Sequence, residues 1–516
     1  MSAHSDTPSS AISDGSDALP QANPQDDVAA QMEHLALEPD EQHQDEVLSS
    51  PLLTVPLIDK SPPSQFGLFG ASLSEGTPSL AASRLFHNVA CPSSVFICGS
   101  QGSGKSNTLA CLLENCLISS QLGKLPHPLT GIVFHYDSFV SDSGGLPCEA
   151  AFLASHEKVS VRVLCAPTNV RTIEVPLSKI PRNRAHAILI ASQKIYGGIP
   201  NVKIKPLMLT DDDLNTRRMN DLMAVGEGGS KPLYLHVVNR ILRDMRMDQQ
   251  STGLGFSYDK FRKCLDLEGL TPGQLNPLNQ RLDTLESFML KKKTGGFADK
   301  KIDWQPKSGQ LTVVDLSCPC VMAELACSLF NICLSLFLEQ DSAIGRVVAL
   351  DEAHKYMKES EESQTLTNSL LETIRLQRHL GVRVLISTQE PTVSTKLLDL
   401  CSMTVVHRFT SPDWLRTLGK HLAGISSMSV KMTDEEDEGQ AISPISIGGK
   451  DPMMEVFKLI VSLQTGQALV FAPSTVLGLN EKGLDRPAVL QRLAHRALRV
   501  KVRSRLTRDG GRTVMA

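Results

Sequence analysis

Gly99-Ser100-Gln101-Gly102-Ser103-Gly104-Lys105-Ser106 sets glycines, a lysine and a hydroxyl at the spacing G-x-x-x-x-G-K-S. That order suits one kind of chemistry, the cradling of a polyphosphate. Glycines let successive backbone N–H groups turn inward around phosphate oxygens, and a helix starting directly afterwards adds the positive end of its dipole. Lys105 has the reach for the β- and γ-phosphates, and the Ser106 hydroxyl is a natural Mg2+ ligand. The stretch from Gly99 to Asn107 is therefore expected to hold ATP with Mg2+. Far along the chain, Val347-Val348-Ala349-Leu350 runs into Asp351-Glu352. An acid closing a buried strand, here Asp351, can hold the metal through its water shell. Glu352 directly behind it can orient and deprotonate the water that attacks the γ-phosphate. Such a carboxylate argues for hydrolysis over transfer to a small-molecule acceptor.

These residues need a scaffold that brings two distant strands side by side. Val95–Cys98 reads as a short buried strand and Ser106–Glu114 as the helix after it. Gly131–Asp137, Val161–Cys165, Gln310–Leu316, Arg346–Asp351, Val382–Ser387, Met403–Phe409 and Gln467–Phe471 are further strands. Helical patterns lie at Pro176–Tyr196, Met322–Glu339 and Ser363–Leu380. Alternation of strands and helices predicts an α/β fold with a largely parallel sheet. Between Asp211 and Phe297 strand signals vanish and helix-period leucines take over, which predicts a helical insertion. The expected organisation is a core in two parts, 84–210 and 305–475, with the insertion at 211–300 between them.

Hydrophobic content of 41% and charged content of 21% in 516 residues allow a sizeable core. The formal charge of −4 conceals an asymmetry. Residues 1–60 carry twelve acids and only Lys60, while the last 31 residues carry nine Lys/Arg against Asp509 alone. The first 60 residues have no aromatic residue and are expected to be a disordered acidic tail, or one that folds on a protein partner. The basic segment 484–516 is a candidate for phosphates of DNA or RNA; the plain alternative is a solvated helix end or a tail paired with the acidic head. Lys291-Lys292-Lys293 could line a pore or cap a helix, and Asp434–Glu438 is most simply a solvated loop. Twelve cysteines without a C-x-x-C pair argue against a metal or disulfide framework. There is no signal-peptide pattern, and Val321–Leu338 is interrupted by polar residues, so a soluble intracellular protein is expected, with cytoplasm and nucleus both open.

Asp351-Glu352-Ala353-His354 spells the signature of DEAH-box helicases, but the Ser-Ala-Thr and Gly-Arg motifs of that family are missing from their places. The segment Leu371–Pro391, with basic residues leading to a strand that ends Thr388-Gln389-Glu390-Pro391, resembles HerA/FtsK-type ATPases of the additional-strand P-loop class. Asp315-Leu316-Ser317 resembles the Asp-Leu-Ser strand that precedes the metal acid in that family. The resemblance spans roughly 85–200 and 305–475. It implies that Gln389 senses the γ-phosphate and that subunits form a ring, with an arginine entering each site from the neighbour. Arg378 matches that arginine, and Arg375 and Arg408 are the other candidates. The HerA N-terminal β-barrel and the FtsK winged helix have no evident counterpart, so a nucleotide-controlled scaffold without motor activity is the alternative function.

Overall fold

The computed structural model describes residues 39–73, 79–139, 145–169, 195–223, 233–290, 301–340, 343–422, 452–480 and 489–510. Two contact units divide at Glu46/Val47, and in the first the described residues are the opening turns of a helix, Pro39–Ser49. All other elements belong to the second unit. Strands β1 (Leu52–Thr54), β2 (Phe66–Ser72), β3 (Arg84–Asn88), β4 (Ser94–Cys98) and β5 (Gly123–Lys124) precede β6 (Thr130–His135), β7 (Ser160–Cys165) and β8 (Val202–Pro206). Then follow β9 (Gln310–Asp315), β10 (Arg346–Leu350), β11 (Val382–Thr388), β12 (Met403–Val406), β13 (Gln467–Phe471), β14 (Val476–Asn480), β15 (Val489–Arg492) and β16 (Leu498–Val502).

Fourteen of these form one sheet in the order β1-β3-β2-β16-β13-β12-β4-β11-β10-β6-β9-β7-β8, with β5 on β2. From β12 to β8 every pair is parallel, and from β13 to β1 every pair is antiparallel. The fold is α/β with a largely parallel sheet, as the alternation of elements predicts. Strands β4, β6 and β10 are buried at every residue, because helices cover both faces. Alternate residues of one strand feed opposite cores. Phe96 and Cys98 join Phe330 and Leu370 on one side, while Val95 and Ile97 join Leu109 and Leu113 of the helix Lys105–Leu117 on the other.

Between β8 and β9 lie helices Thr216–Met223, Leu233–Thr252, Tyr258–Asp266 and Pro272–Ser287. Leu209 and Met289 meet in an isolated parallel bridge, so the chain leaves for this helical span and returns at one point of the core. The helix expected at Pro176–Tyr196 lies outside the described residues except its last two, Ile195 and Tyr196, which are in a turn. Lys291-Lys292-Lys293 and the acidic run Asp434–Glu438 also lie outside the described residues.

Two expectations about the ends need correction. The stretch expected to be a disordered tail up to residue 60 contains ordered structure: Leu52, Leu53 and Leu57 are buried, and β1 pairs with β3. The elements there are three and six residues long, too short to show a period. The basic C-terminal segment is no solvated helix end. It supplies β15 and β16, and β16 is inserted between β13 and β2. Its residues Leu498-Arg499-Val500-Lys501-Val502 alternate apolar and basic, and the apolar ones are buried. The alternation is a strand signal that the charge count masked. No described helix is long and apolar enough to cross a membrane, and all twelve cysteines are free.

Candidate nucleotide site

In open parallel sheets, ligands bind beyond the carboxyl ends of the strands. Gly99 follows β4, His407 follows β12, Gln389 follows β11, Asp351 follows β10, and His135 and Asp315 end β6 and β9. The strand order brings all six to one edge, with β11 inserted between the strand of the phosphate loop and the strand of Asp351.

The loop itself depends on glycine at Gly99 and Gly104. Their φ angles are 148° and 115°, in the region that side chains avoid. A Cβ on Gly99 would lie 2.7 Å from the Cβ of His407, and one on Gly104 would lie 3.0 Å from the backbone of Gly466. Gly99→Ala should therefore weaken ATP binding by roughly 5–150-fold, from about 1–3 kcal/mol of strain; equilibrium titration with a fluorescent ATP analogue reads this. Ser100 fastens the loop to β12, since its N–H and Oγ both donate to the Arg408 carbonyl at 2.9 and 2.8 Å. Ser103 Oγ donates to the Ser100 carbonyl at 2.7 Å, and the Gly466 N–H donates to the Ser103 carbonyl at 3.0 Å. Gln101 and Gly102 are exposed at the rim.

Lys105 is buried at the start of its helix, and its Nζ donates to the Ser100 carbonyl at 3.2 Å. Burial lowers its pKa, against the opposing charges of Glu352, Asp351 and Glu149. An ammonium held in place by carbonyls and distant carboxylates is ready for phosphate oxygens. Ser106 follows at half-burial in the first turn. Asn107 Nδ2 donates to the Arg503 carbonyl at 3.0 Å.

Asp351 is buried, and its Oδ2 receives His135 Nδ1 at 3.0 Å and Cys148 Sγ at 3.5 Å. Burial would raise this carboxyl, but the His135 hydrogen bond and charge hold it below the ordinary range. Burial likewise opposes a charge on His135, and its Cys148 and Asp351 partners hold it well above the usual histidine value. Burial pushes the Cys148 thiol up to about 11, so it stays protonated and donates. Ligand atoms of His135, Cys148 and Asp351 all lie within 4.8 Å of one another. Mg2+ favours oxygen ligands, so the imidazole and thiol act on the aspartate and not on this metal. Ser106, Asp351 and Lys105 fit Mg·ATP: a hydroxyl oxygen, a carboxylate and a buried ammonium lie at one edge of the sheet.

Glu352 stands in the left-handed region, with φ 49° and ψ 47°. Its Oε2 is buried and has no hydrogen-bond donor, although His354 Nδ1 is 3.3 Å away. That nitrogen accepts from the Gln389 N–H at 3.4 Å, and burial lowers the pKa of His354, so it is neutral and has no proton to give there. His354 thus bonds Gln389 and not Glu352, and leaves Glu352 Oε2 free to take a proton. Gln389 is half-buried beside them.

Arg378 is exposed on the short helix Gln377–Leu380, which precedes β11. The seven-residue strand puts it about 20 Å from Gln389, at the opposite edge of the sheet. It cannot serve the loop of its own chain. Arg375 is exposed on the preceding helix; Arg408 is exposed directly under Ser100.

Several contributors were not foreseen. His407 is buried under the loop, bonded to Thr108 Oγ1 and the Gln467 carbonyl at 2.9 Å each, and burial lowers its pKa to about 4. Glu149 follows Cys148 and meets Arg505 at 3.5 Å; burial and then Asp351 raise its carboxyl pKa despite that arginine. Tyr196 Oη donates to Asp315 Oδ2 at 2.6 Å and accepts the Cys148 N–H at 3.0 Å. The Asp-Leu-Ser strand thereby reaches Asp351 by way of Cys148 and a tyrosine some 120 residues away, for which no local pattern exists.

No family model and no curated protein matches the sequence. Solved structures do. VirB4 of Thermoanaerobacter pseudethanolicus is 12% identical over 85% of this chain and 96% of that one, with a TM-score of 0.48. The plasmid coupling protein TrwB, in complex with ADP and Mg2+, is 14% identical over 83% and 98%, with a TM-score of 0.40. The genome packaging NTPase B204 from Sulfolobus turreted icosahedral virus 2, in complex with ATP-gammaS, is 14% identical over 32% and 62%, with a TM-score of 0.20.

Proposed function

We propose that the protein is a Mg2+-dependent ATPase whose 84–210 and 305–475 segments form one catalytic core around the helical span. The observation that carries this reading is the buried, unpartnered Oε2 of Glu352 on the same strand edge as Asp351 and the phosphate loop. In the mechanism, the loop amides and Lys105 bind the β- and γ-phosphates and orient the γ-phosphorus. Ser106 and Asp351 would hold Mg2+, which would offset the charge on the phosphate oxygens. Glu352 accepts a proton from water, and Gln389 stands beside it as the polar contact to the γ-phosphate. Its backbone N–H occupies His354 Nδ1, which keeps that histidine from donating to the base.

A ring of subunits gives Arg378 a role, since only a neighbour's site is open to it. DNA or RNA is the candidate conducted through such a ring. The second reading, a nucleotide-controlled scaffold recruiting a protein partner through the acidic head, gains from one observation. Arg503 and Arg505, counted in the basic segment as candidates for phosphate contacts, have side chains only 6% and 5% exposed and face Glu114 and Glu149. ATP turnover with and without DNA and RNA, together with particle size by light scattering with and without ATP, separates the two. A ring motor is expected to be stimulated and to enlarge with ATP. An unstimulated monomer leaves the scaffold.

A further inference from the structure

The proposed ATP site contains a group that the phosphate chemistry does not call for. His135 on β6 and Cys148 lie 216 and 203 residues from Asp351, yet both bond the same oxygen, Oδ2. Neither residue is a fitting ligand for Mg2+, and both are buried. The connection continues outward. The Cys148 N–H donates to Tyr196 Oη, and Tyr196 Oη donates to Asp315 Oδ2, while Asp315 Oδ1 accepts the Ser317 N–H at 2.9 Å. Cys148 is thereby fixed at its backbone as well as at its thiol. His135 Nε2, in contrast, is buried without a partner. A fold under no other demand would satisfy both ring nitrogens or place an apolar residue there. The imidazole is kept for what Nδ1 does.

We propose that His135 and Cys148 are positioning residues for Asp351: two donors capture Oδ2 and so present Oδ1 alone to the hydration shell of Mg2+. A carboxylate at the end of a strand can rotate about its last bond and offer either oxygen. Capturing one of them removes that freedom before the metal arrives, and partners of this kind typically alter metal affinity by 10–100-fold. Asp315 and Tyr196 then act one step further out, by holding Cys148.

This rests on the reading of Asp351 as the metal acid, and the experiment keeps the two apart. Binding of a fluorescent ATP analogue to the full chain is titrated with Mg2+, in parent, Asp351→Asn, His135→Ala, His135→Asn, Cys148→Ala and Cys148→Ser proteins, with thermal unfolding measured for each. Expected is a Mg2+ requirement roughly 10–100-fold higher in His135→Ala. Affinity for the nucleotide without Mg2+ should stay unchanged. His135→Asn, which keeps a donor near the Nδ1 position, should recover most of the loss, and Cys148→Ser should resemble the parent more than Cys148→Ala does. If His135→Ala folds and needs only the parent's Mg2+, while Asp351→Asn has lost the Mg2+ response, the positioning role is overturned. If Asp351→Asn itself keeps the parent's response, the metal-acid reading falls instead. Should His135→Ala not fold, His135→Asn and Cys148→Ala decide: a parental Mg2+ requirement in both overturns the proposal.

Discussion

The Glu352→Gln protein is expected to bind ATP within a few-fold of the parent and to turn it over about 10²–10⁴-fold more slowly, the usual contribution of a positioned general base. The substitution keeps the shape and removes the ability to take a proton. Three features of the site make the effect large. Glu352 is held in a left-handed backbone conformation, which a residue with a side chain adopts at a cost and which clusters at functional sites. Its Oε2 is buried with no donor. The nearest histidine is occupied as an acceptor by the Gln389 N–H. Single-turnover hydrolysis and analogue binding on the same preparation separate loss of chemistry from loss of affinity. Turnover close to the parent's would move the base to another residue.

Glu114→Ala should cost about 3–5 kcal/mol of stability, the range for breaking a buried ion pair from one side. Glu114 lies on the phosphate-loop helix, with its side chain fully buried. It accepts Arg503 Nη1 at 2.7 Å, Thr507 Oγ1 at 2.7 Å, and the N–H groups of Leu506 and Thr507. Removing it strands the Arg503 guanidinium, leaves two backbone donors unsatisfied and opens space beside the helix. Arg503 keeps its bonds to the Leu68 and Cys111 carbonyls and to Asn115, which bounds the loss from above. A fall in the unfolding midpoint, measured without nucleotide, checks this. A loss under about 1 kcal/mol would mean that the pair behaves like an exposed one.

What the sequence made legible was whatever chemistry is local. The G-x-x-x-x-G-K-S spacing is eight consecutive residues, and an apolar run ending in Asp351-Glu352 is six, so both could be found without knowing what lies beside them. His135, Cys148 and Tyr196 could not. Each is an ordinary residue in its own neighbourhood, and its role arises because β6 pairs with β10 and β9 with β6. Parallel pairing leaves no sequence trace of which strands are neighbours. The basic C-terminal segment was misjudged for a related reason, since a count of charges does not show where the partners are. Glu114 is the single acid in an apolar helix, Lys105–Leu117, and an acid amid buried positions is the available hint of a distant arginine.

The pairing of Glu114 with Arg503 spans 389 residues. On a ribosome adding about 5–20 residues per second, roughly 20–80 s separate the synthesis of the phosphate loop from that of its fastening. Throughout that interval the helix carries a buried-type carboxylate with nothing to neutralise it, and β2 lacks the neighbour that β16 later provides. The nascent chain therefore has the means to recognise phosphate long before it has the means to hold its own loop in place. The edge that β16 closes is where an incomplete chain would need shielding from its neighbours.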